Sequence, residues 1–199
     1  LNHDALTLLN TVFGYPAFRG HQADVIAHVA GGGDALVLMP TGSGKSLCYQ
    51  LPALVRPGLT LVVSPLIALM RDQVRALAAA GVAAGSLNSS NEPAETARVM
   101  DLLRRRELRL LYVAPERLAR PDTVEMLAEA NVTMMAIDEA HCVSQWGHDF
   151  RPEYLTLGNV ARQIGGRLQT LALTATADAP TRGDIVEKLF PASPPRVFV

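Results

Sequence analysis

The chain has 199 residues, of which 49% are hydrophobic and 19% are charged, and its formal net charge is -1. This charge excludes a polycation that holds nucleic acid by bulk electrostatics, because such binding uses many lysine and arginine contacts to phosphate. No apolar run reaches the roughly 18 to 20 residues of a membrane span, and two cysteines are too few for a disulfide framework. We therefore expect one domain over residues 1–199 with a sizeable core, in a reducing compartment such as the cytoplasm and without a membrane partner.

Short apolar runs alternate with longer helical patterns along the chain. Most of these runs are continuously apolar, as expected for parallel strands that are buried on both faces. The predicted strands are 35–40, 60–65, 84–88, 108–115, 134–138, 168–176 and 196–199. The alternation predicts an α/β fold, with a mainly parallel sheet flanked by helices.

Three of the helical patterns have recognisable limits. They cover residues 67–80, 93–106 and 179–190. Gly81 is expected to end the first, Asn91 to cap the second and Asp178 to cap the third. The densest basic run, residues 104–106, closes the second pattern, which favours a solvated helix end over a phosphate clamp.

A glycine-rich segment lies between the first strand and a helical pattern. It reads Met39-Pro40-Thr41-Gly42-Ser43-Gly44-Lys45-Ser46. Its glycines permit backbone angles at which successive N–H groups turn toward phosphate oxygens, and the following helix adds its N-terminal dipole. We expect residues 41–46 to bind a nucleotide, with Lys45 on the β- and γ-phosphates and Ser46 on Mg²⁺. Met39 replaces the usual first glycine of this motif, and a glycine-rich turn with a surface lysine is the structural alternative.

An acidic pair follows the buried strand 134–138. Asp138 is placed to hold Mg²⁺, directly or through water, and Glu139 to polarise the water that attacks the γ-phosphate. A helix cap after a core strand is the alternative, which the presence of a phosphate motif in the same chain disfavours. Two cysteines, five scattered histidines and no C-x-x-C pair give a zinc site no support in the sequence.

Four longer strings resemble the RecQ family of DNA helicases, which are DEAH-type members of superfamily 2. The strings are residues 44–50 (GKSLCYQ), 64–70 (SPLIALM), 112–118 (YVAPERL) and 138–154 (DEAHCVSQWGHDFRPEY). The resemblance runs from about Phe13 to Thr176, and the last string is its most specific part. It implies a three-layer RecA-like P-loop lobe that uses ATP and Mg²⁺. It also implies 3′ to 5′ translocation on single-stranded DNA and unwinding of duplex DNA in recombination and repair, in the bacterial nucleoid or a eukaryotic nucleus.

The resemblance assigns an adenine site to the start of the chain. Tyr15 and Arg19 would sandwich the base, and Gln22 would hydrogen-bond its edge, because planar groups stack on a base and an amide both donates and accepts. Residues 20–21 are Gly-His where the family usually has proline and glycine. The structural alternative is that Tyr15 and Phe18 pin the leading helix to the core.

The resemblance also assigns residues to DNA binding and to its coupling with hydrolysis. They are Ser64, Pro65, Arg117, Gln145, Trp146, His148, Phe150, Arg151, Thr174 and Thr176. The loop that follows Glu139 would hold a strand by base stacking on Trp146 or Phe150, and its movement would shift the catalytic carboxylate. A tryptophan that anchors this loop to the protein surface is the alternative.

The two threonines of the third helicase motif also have two interpretations. Thr174 and Thr176 would hydrogen-bond the acidic motif and relay the state of the nucleotide. Short hydroxyl side chains at the end of a strand would equally cap the helix that follows Asp178.

The family resemblance implies a second RecA-like lobe that supplies arginines to the transition state, where an arginine finger contributes about 10³ to 10⁵ in rate. We find no room for this lobe after Thr176 and expect the chain alone to bind Mg-ATP weakly and to be nearly inactive. The sequence leaves the oligomeric state open. Two rival functions are an ATPase that remodels RNA or proteins and a regulatory domain without turnover.

Overall fold

The computed structural model describes residues 3–40, 44–166 and 168–199. Within these ranges the strands form one sheet in which every neighbouring pair is parallel. The strands are β1 (Ala35–Leu38), β2 (Leu59–Val63), β3 (Ala84–Leu87), β4 (Leu110–Val113), β5 (Val132–Ile137), β6 (Gln169–Thr174) and β7 (Arg196–Phe198). Their order across the sheet is β3-β4-β2-β5-β6-β1-β7. The strands therefore all end at the same edge of the sheet, and β6 separates β1 from β5.

Eight α-helices lie in the described part of the chain. They are α1 (His3–Thr11), α2 (Gln22–Ala30), α3 (Leu47–Val55), α4 (Ile67–Ala79), α5 (Pro93–Arg104), α6 (Pro121–Ala128), α7 (Leu157–Gly165) and α8 (Ala179–Leu189). Short 3-10 turns at Pro115–Ala119, Ala140–Val143 and Pro152–Thr156 follow β4 and β5. None of these helices is both long enough and apolar enough to cross a lipid bilayer.

The sheet is buried on both faces, which explains why its strands are continuously apolar. Apolar side chains of α2, α3 and α4 pack on one face, and those of α5, α6, α7 and α8 pack on the other. Neighbouring residues of a strand alternate between the faces. Leu36 therefore packs on the side of α5 to α8, and Val37 packs on the side of α2 to α4. Helix α1 packs outside this sandwich, where Leu9 contacts the outer side of α2 and α3.

The predicted alternation of strands and helices is confirmed, with small shifts at the ends of the elements. Asp178 caps α8 as expected, because its carboxylate accepts a hydrogen bond of 2.9 Å from the Thr181 N–H. The expected cap at Asn91 is wrong. Glu92 is the residue before α5, and the Asn91 amide instead donates to the Ser86 carbonyl at 2.6 Å. The side chain of Asn91 therefore fastens the end of β3 rather than the helix.

The basic run at the end of α5 lies in solvent, as the sequence favours. Arg104 and Arg105 both pair with Asp101, at 3.0 and 3.1 Å, and Arg105 also pairs with Glu107 at 2.7 Å. All of these side chains are exposed, so the pairs contribute little to stability. The run has carboxylate partners of its own, which does not fit a phosphate clamp.

Two glycines provide a matched test of the packing between α5 and the sheet. A methyl group added at Gly85 in β3 would lie 2.5 Å from Val99 Cγ2, whereas one added at Gly183 in α8 would meet no atom within 4 Å. We expect Gly85→Ala to lower the free energy of unfolding by about 1–3 kcal/mol through overpacking. Gly183→Ala should raise it by roughly 0.5–1 kcal/mol, because alanine favours helix. Urea unfolding measures both changes, and equal effects of the two substitutions would contradict this description of the core.

Candidate active site

The residues predicted to carry chemistry converge at the carboxyl edge of the sheet. The phosphate motif follows β1, the acidic pair follows β5, and Thr174 ends β6 between them. The ends of β1 and β6 are joined by a hydrogen bond of 3.1 Å from the Met39 N–H to the Thr174 carbonyl. Open parallel sheets bind ligands outside this edge, so the position fits a ligand site.

The central feature of this edge is a lysine that faces two carboxylates. Lys45 Nζ lies 3.6 Å from Asp138 Oδ1 and 3.9 Å from Glu139 Oε1. Asp138 is buried, and Lys45 and Glu139 are half-buried. Residues that are 93 positions apart in the sequence therefore meet at one point, with a cation and two anions available to a ligand.

The backbone around the acidic pair is held by several hydrogen bonds. The Asp138 N–H donates to the Val63 carbonyl of β2 at 2.9 Å, and the Tyr154 hydroxyl donates to the Asp138 carbonyl at 2.9 Å. Glu139 has left-handed backbone angles, φ 52° and ψ 43°, which turn the chain sharply after β5. Its N–H donates to Asp138 Oδ1 at 2.9 Å. These contacts fix the backbone of the acidic pair and the Asp138 carboxylate.

Half of the predicted phosphate motif can be described. Thr41, Gly42 and Ser43 lie outside the described residues. Gly44 has φ +78°, a conformation that favours glycine, and a methyl group there would lie 2.5 Å from Gln22 Nε2. Ser46 precedes α3, and its hydroxyl makes no capping hydrogen bond in the described structure. Ser46 is next to Lys45 in the chain, and Asp138 contacts the Lys45 side chain, so the hydroxyl and the carboxylate are two oxygen groups of the kind that bind Mg²⁺.

The predicted adenine residues surround a small cavity beside the phosphate motif. Its volume is about 290 Å³, and Tyr15, Phe18, Arg19, Gln22 and Gly44 are in its lining. Tyr15 is 48% exposed and does not pin α1 to the core, whereas Phe18 packs against the cluster that contains Ala5 and Leu9 of α1, so the structural alternative holds for Phe18 alone. Gln22 is only 2% exposed; its amide accepts from the Arg19 N–H at 2.8 Å and donates to the Gly44 carbonyl at 3.0 Å. The amide thus ties the cavity to the phosphate motif.

A buried histidine connects the acidic pair to the third motif. His141 Nδ1 lies 2.8 Å from Thr174 Oγ1, and the Thr174 hydroxyl donates its proton to the Thr176 carbonyl at 3.0 Å. Nδ1 must therefore carry the proton in the first of these bonds, which leaves the Nε2 lone pair facing Glu139 Oε2 at 3.6 Å. Burial lowers the pKa of His141, which favours this neutral form.

The aromatic loop, residues 144–151, lies against both His141 and α8. The His148 ring stacks on the His141 ring, with 5.0 Å between centroids and 14° between planes. The buried Ser144 hydroxyl donates to Asp184 Oδ2 of α8 at 2.7 Å and accepts from the Trp146 N–H at 3.1 Å. The Trp146 side chain itself is 72% exposed, which argues against the alternative of a surface anchor.

The other predicted residues of the DNA set lie at the same edge but differ in exposure. Gln145 and Thr176 are exposed, and Pro65 and Phe150 are half-buried. Ser64 is buried, and its hydroxyl accepts a hydrogen bond of 3.2 Å from the Leu66 N–H. This hydrogen bond stabilises the loop after β2.

Two arginines of this set have protein partners. Arg117 donates through Nε to the Thr123 hydroxyl at 3.0 Å, and burial, followed by the charge of Arg120, lowers its pKa. Arg151 Nε lies 3.5 Å from Asp149 Oδ1. Both guanidinium groups therefore have a protein partner in this conformation.

Sequence reasoning missed several residues that build the site. His141, Ser144, Tyr154 and Asp184 all make the contacts described above. A signal was present for the first three, because they belong to the string 138–154 that carries the family resemblance. Asp184 had no signal, since it lies 40 residues after Ser144 in an ordinary helical pattern.

This arrangement can bind a polyphosphate chain with a divalent cation and can place a carboxylate beside the attacking water. Lys45 and the N-terminus of α3 supply positive charge, Ser46 and Asp138 supply oxygen ligands, and Glu139 supplies a base. Tyr15 and Arg19 contribute planar side chains to the lining of the nearby cavity. Together these parts suit hydrolysis of a nucleoside triphosphate.

Comparisons with known proteins agree with this interpretation. A sequence profile described as DEAD/DEAH box helicase matches residues 19–184. The chain is 50% identical over 194 residues to the ATP-dependent DNA helicase RecQ of Pasteurella multocida, covering 98% of this chain and 30% of that protein. It is 43% identical over 188 residues to the ATP-dependent DNA helicase RecQ of Bacillus subtilis, covering 94% of this chain and 32% of that protein. The chain thus spans about a third of the length of these curated relatives.

Solved helicase structures share the fold. The DEAD-box helicase Mss116 bound to ssRNA and UDP-BeF has a TM-score of 0.74 and 17% identity, covering 98% of this chain and 42% of that chain. The Mycobacterium smegmatis helicase Lhr bound to ssDNA and AMP-PNP has a TM-score of 0.73 and 23% identity, covering 98% of this chain and 27% of that chain. At these identities the likeness concerns the fold alone. The match of the family profile over most of the sequence shows that the chain belongs to the DEAD/DEAH box helicase family, and it is similar to RecQ helicases along nearly its whole length.

Proposed function

We propose that the chain is the ATP-binding motor lobe of an ATP-dependent DNA helicase, which moves 3′ to 5′ on single-stranded DNA and unwinds duplex DNA in recombination and repair. The observation that carries this proposal is the approach of Lys45 to Asp138 and Glu139 at the carboxyl edge of the sheet. The similarity to RecQ relatives supports DNA as the nucleic acid.

The nucleotide of this proposal is ATP, bound with Mg²⁺. Residues 41–46 and the N-terminus of α3 hold its phosphates, and Lys45 leaves its carboxylate partners to contact the β- and γ-phosphates. Bound Mg²⁺ would neutralise charge on the phosphate oxygens, held by Ser46 and by Asp138 directly or through water. Glu139, freed from Lys45, orients and polarises the attacking water.

The cavity lined by Tyr15, Arg19 and Gln22 is the site that we propose for adenine. Tyr15 and Arg19 stack on the two faces of the base, and the Gln22 amide bonds its edge. An amide offers both a donor and an acceptor to the edge of a base. Selection of adenine over other bases would follow from this amide.

Single-stranded DNA is proposed to lie across the loops that follow β2, β4 and β5. Trp146 and Phe150 stack on bases, with contributions of about 1–3 kcal/mol for each stacked base. Arg117 and Arg151 contact phosphates, and the loops that carry Ser64 and Gln145 line the path. Thr176 follows β6 and, with Thr174, relays the state of the nucleotide. A strand that displaces residues 144–151 would move His148 against His141, and His141 would pass this movement to Glu139 and Thr174.

A second RecA-like lobe completes the proposed enzyme. In a two-lobed enzyme the second lobe closes on the nucleotide and supplies arginines to the transition state. Lys45, Asp138 and Glu139 come from a single lobe and provide only one side of such a cleft. Binding of ATP would close the cleft and hydrolysis would reopen it, which moves the lobes along one strand. The cellular setting that we propose is the bacterial nucleoid or a eukaryotic nucleus, where DNA is available.

Substitution of the two lysines of the sequence tests the phosphate site. We expect Lys45→Ala to weaken binding of a fluorescent ATP analogue at least about tenfold, because hydrogen bonds to charged groups contribute roughly 1.5–3 kcal/mol each. Lys188→Ala, which alters the only other lysine, is the matched control and should leave the affinity unchanged. In a two-lobed version, Glu139→Gln should retain binding of the analogue and remove turnover. Wild-type affinity in Lys45→Ala would contradict the proposed role of the phosphate motif.

Turnover by one lobe and by two lobes tests the reaction class. We expect the 199-residue chain to hydrolyse ATP very slowly with or without single-stranded DNA, and a two-lobed version to be stimulated by single-stranded DNA. In the two-lobed protein, Trp146→Ala should lose most of this stimulation while ATP binding persists. Strong DNA-stimulated turnover by the single lobe would refute the need for a partner lobe. Stimulation by RNA but not by DNA would instead indicate an RNA-remodelling enzyme.

The hydrogen bond from Ser144 to Asp184 should control the mobility of the aromatic loop. Trp146 is the only tryptophan, so its fluorescence reports on this loop alone. We expect Asp184→Ala to lower the fluorescence anisotropy of Trp146 and to increase its collisional quenching, because the loop loses its anchor on α8. Glu187→Ala, which changes an exposed acidic residue of the same helix, should leave both values unchanged. An unaltered anisotropy in a folded Asp184→Ala protein would disprove the anchor.

A further inference from the structure

Asp149 of the aromatic loop lies beside His141 and Cys142, and side chains of these three types commonly bind transition metals. One ring nitrogen of His141, Cys142 Sγ and a carboxylate oxygen of Asp149 all lie within 4.8 Å of one another. His141 and Cys142 are buried, whereas the Asp149 side chain is 44% exposed and opens the cluster to solvent. Sequence spacing gave no reason to expect this cluster, because it contains no pair of cysteines.

The hydrogen bonds of the cluster leave suitable lone pairs. His141 donates from Nδ1 to Thr174 Oγ1, so its Nε2 lone pair is not used by a proton. A ligand histidine whose other nitrogen donates to a fixed oxygen is the usual arrangement in metal sites. Asp149 uses Oδ1 for Arg151 and turns Oδ2 toward Cys142.

A proton now occupies the space between two of the three ligands. Cys142 Sγ donates to Asp149 Oδ2 at 3.8 Å, and burial raises the pKa of this thiol to about 12. Ligand atoms around tetrahedral zinc lie about 3.4–3.6 Å apart, given its usual bond lengths. Distances between the ligand atoms would therefore have to shorten by about 1.4 Å at most, which rotations of these side chains allow.

We propose that His141, Cys142 and Asp149 form an inhibitory binding site for Zn²⁺, with water in the fourth position. Coordination breaks the S–H bond of Cys142, forms a thiolate–zinc bond and releases one proton to the solvent. A set of one nitrogen, one sulfur and one oxygen favours zinc over Mg²⁺, which prefers oxygen ligands alone. The site is distinct from the oxygen ligands proposed for Mg²⁺, Ser46 and Asp138.

Zinc at this site would join the aromatic loop to the histidine behind the catalytic base. Asp149 belongs to the loop, whereas His141 contacts Glu139 and Thr174. A metal bridge between them prevents the loop from moving independently of the acidic motif. The inhibition rests on the proposed function, because it requires that loop movement drives hydrolysis, whereas zinc binding itself does not.

The binding test uses Co²⁺ as a spectroscopic probe for zinc, with the 199-residue chain and neither nucleotide nor DNA. We expect a thiolate-to-cobalt charge-transfer band that saturates and that Zn²⁺ abolishes. The band should persist in Cys48→Ala, which removes the other buried cysteine, and be lost in Cys142→Ala. No saturable band in the wild-type chain, or a band that survives in Cys142→Ala, would overturn the proposal.

A second variant keeps the test decisive if Cys142→Ala does not fold. Asp149→Asn changes an exposed side chain and should weaken Co²⁺ binding at least about tenfold, since even second-shell partners contribute 10- to 100-fold. Unchanged affinity in this variant would also overturn the site. Zn²⁺ should then inhibit DNA-stimulated turnover of the two-lobed protein. Metal binding without any DNA-stimulated turnover would leave the site standing and contradict the proposed function instead.

Discussion

The molecule depends on one constraint: β1 and β5 end at the same edge of a parallel sheet with a single strand between them. Two strands with a single strand between them lie about 10 Å apart, which is twice the spacing of adjacent strands. A lysine side chain after β1 spans this gap to reach Asp138 and Glu139 after β5. The intervening strand, β6, then places Thr174 beside both motifs. If one of these strands ran in the opposite direction, its loop would lie at the far edge and the site would not form.

The backbone of Glu139 is strained, and hydrogen bonds from its neighbours stabilise the sharp turn there. A non-glycine residue with left-handed backbone angles costs of order 1–3 kcal/mol, and such residues persist where the surroundings determine them. Here the Asp138 carboxylate accepts from the Glu139 N–H, and Tyr154 binds the Asp138 carbonyl. The turn directs the chain under the aromatic loop and aims Glu139 at Lys45. The same local geometry therefore serves both the acidic pair and the loop.

The sequence predicted the sheet and the ligand edge well because those features depend on local patterns. Strands buried on both faces are continuously apolar, and a phosphate loop needs glycine at fixed positions, as at Gly44. Short helices such as α6 carry few residues for a periodic signal. Contacts between distant residues leave no local trace, which is why Asp184 was missed. Asn91 illustrates the limit of cap rules, since its amide satisfies a strand carbonyl that only the tertiary fold brings near.

The carboxyl edge is divided between two kinds of loop, and β5 lies at the boundary. Loops after β1 and β6 carry the phosphate motif and Thr174, whereas those after β2 and β4 carry Ser64 and Arg117. The loop after β5 begins with Glu139, which faces Lys45, and continues into the aromatic loop, where Ser144 donates to Asp184 of α8. His141 contacts Thr174 at the end of β6 and stacks on His148, so its side chain links the segment after β5 to both β6 and the aromatic loop.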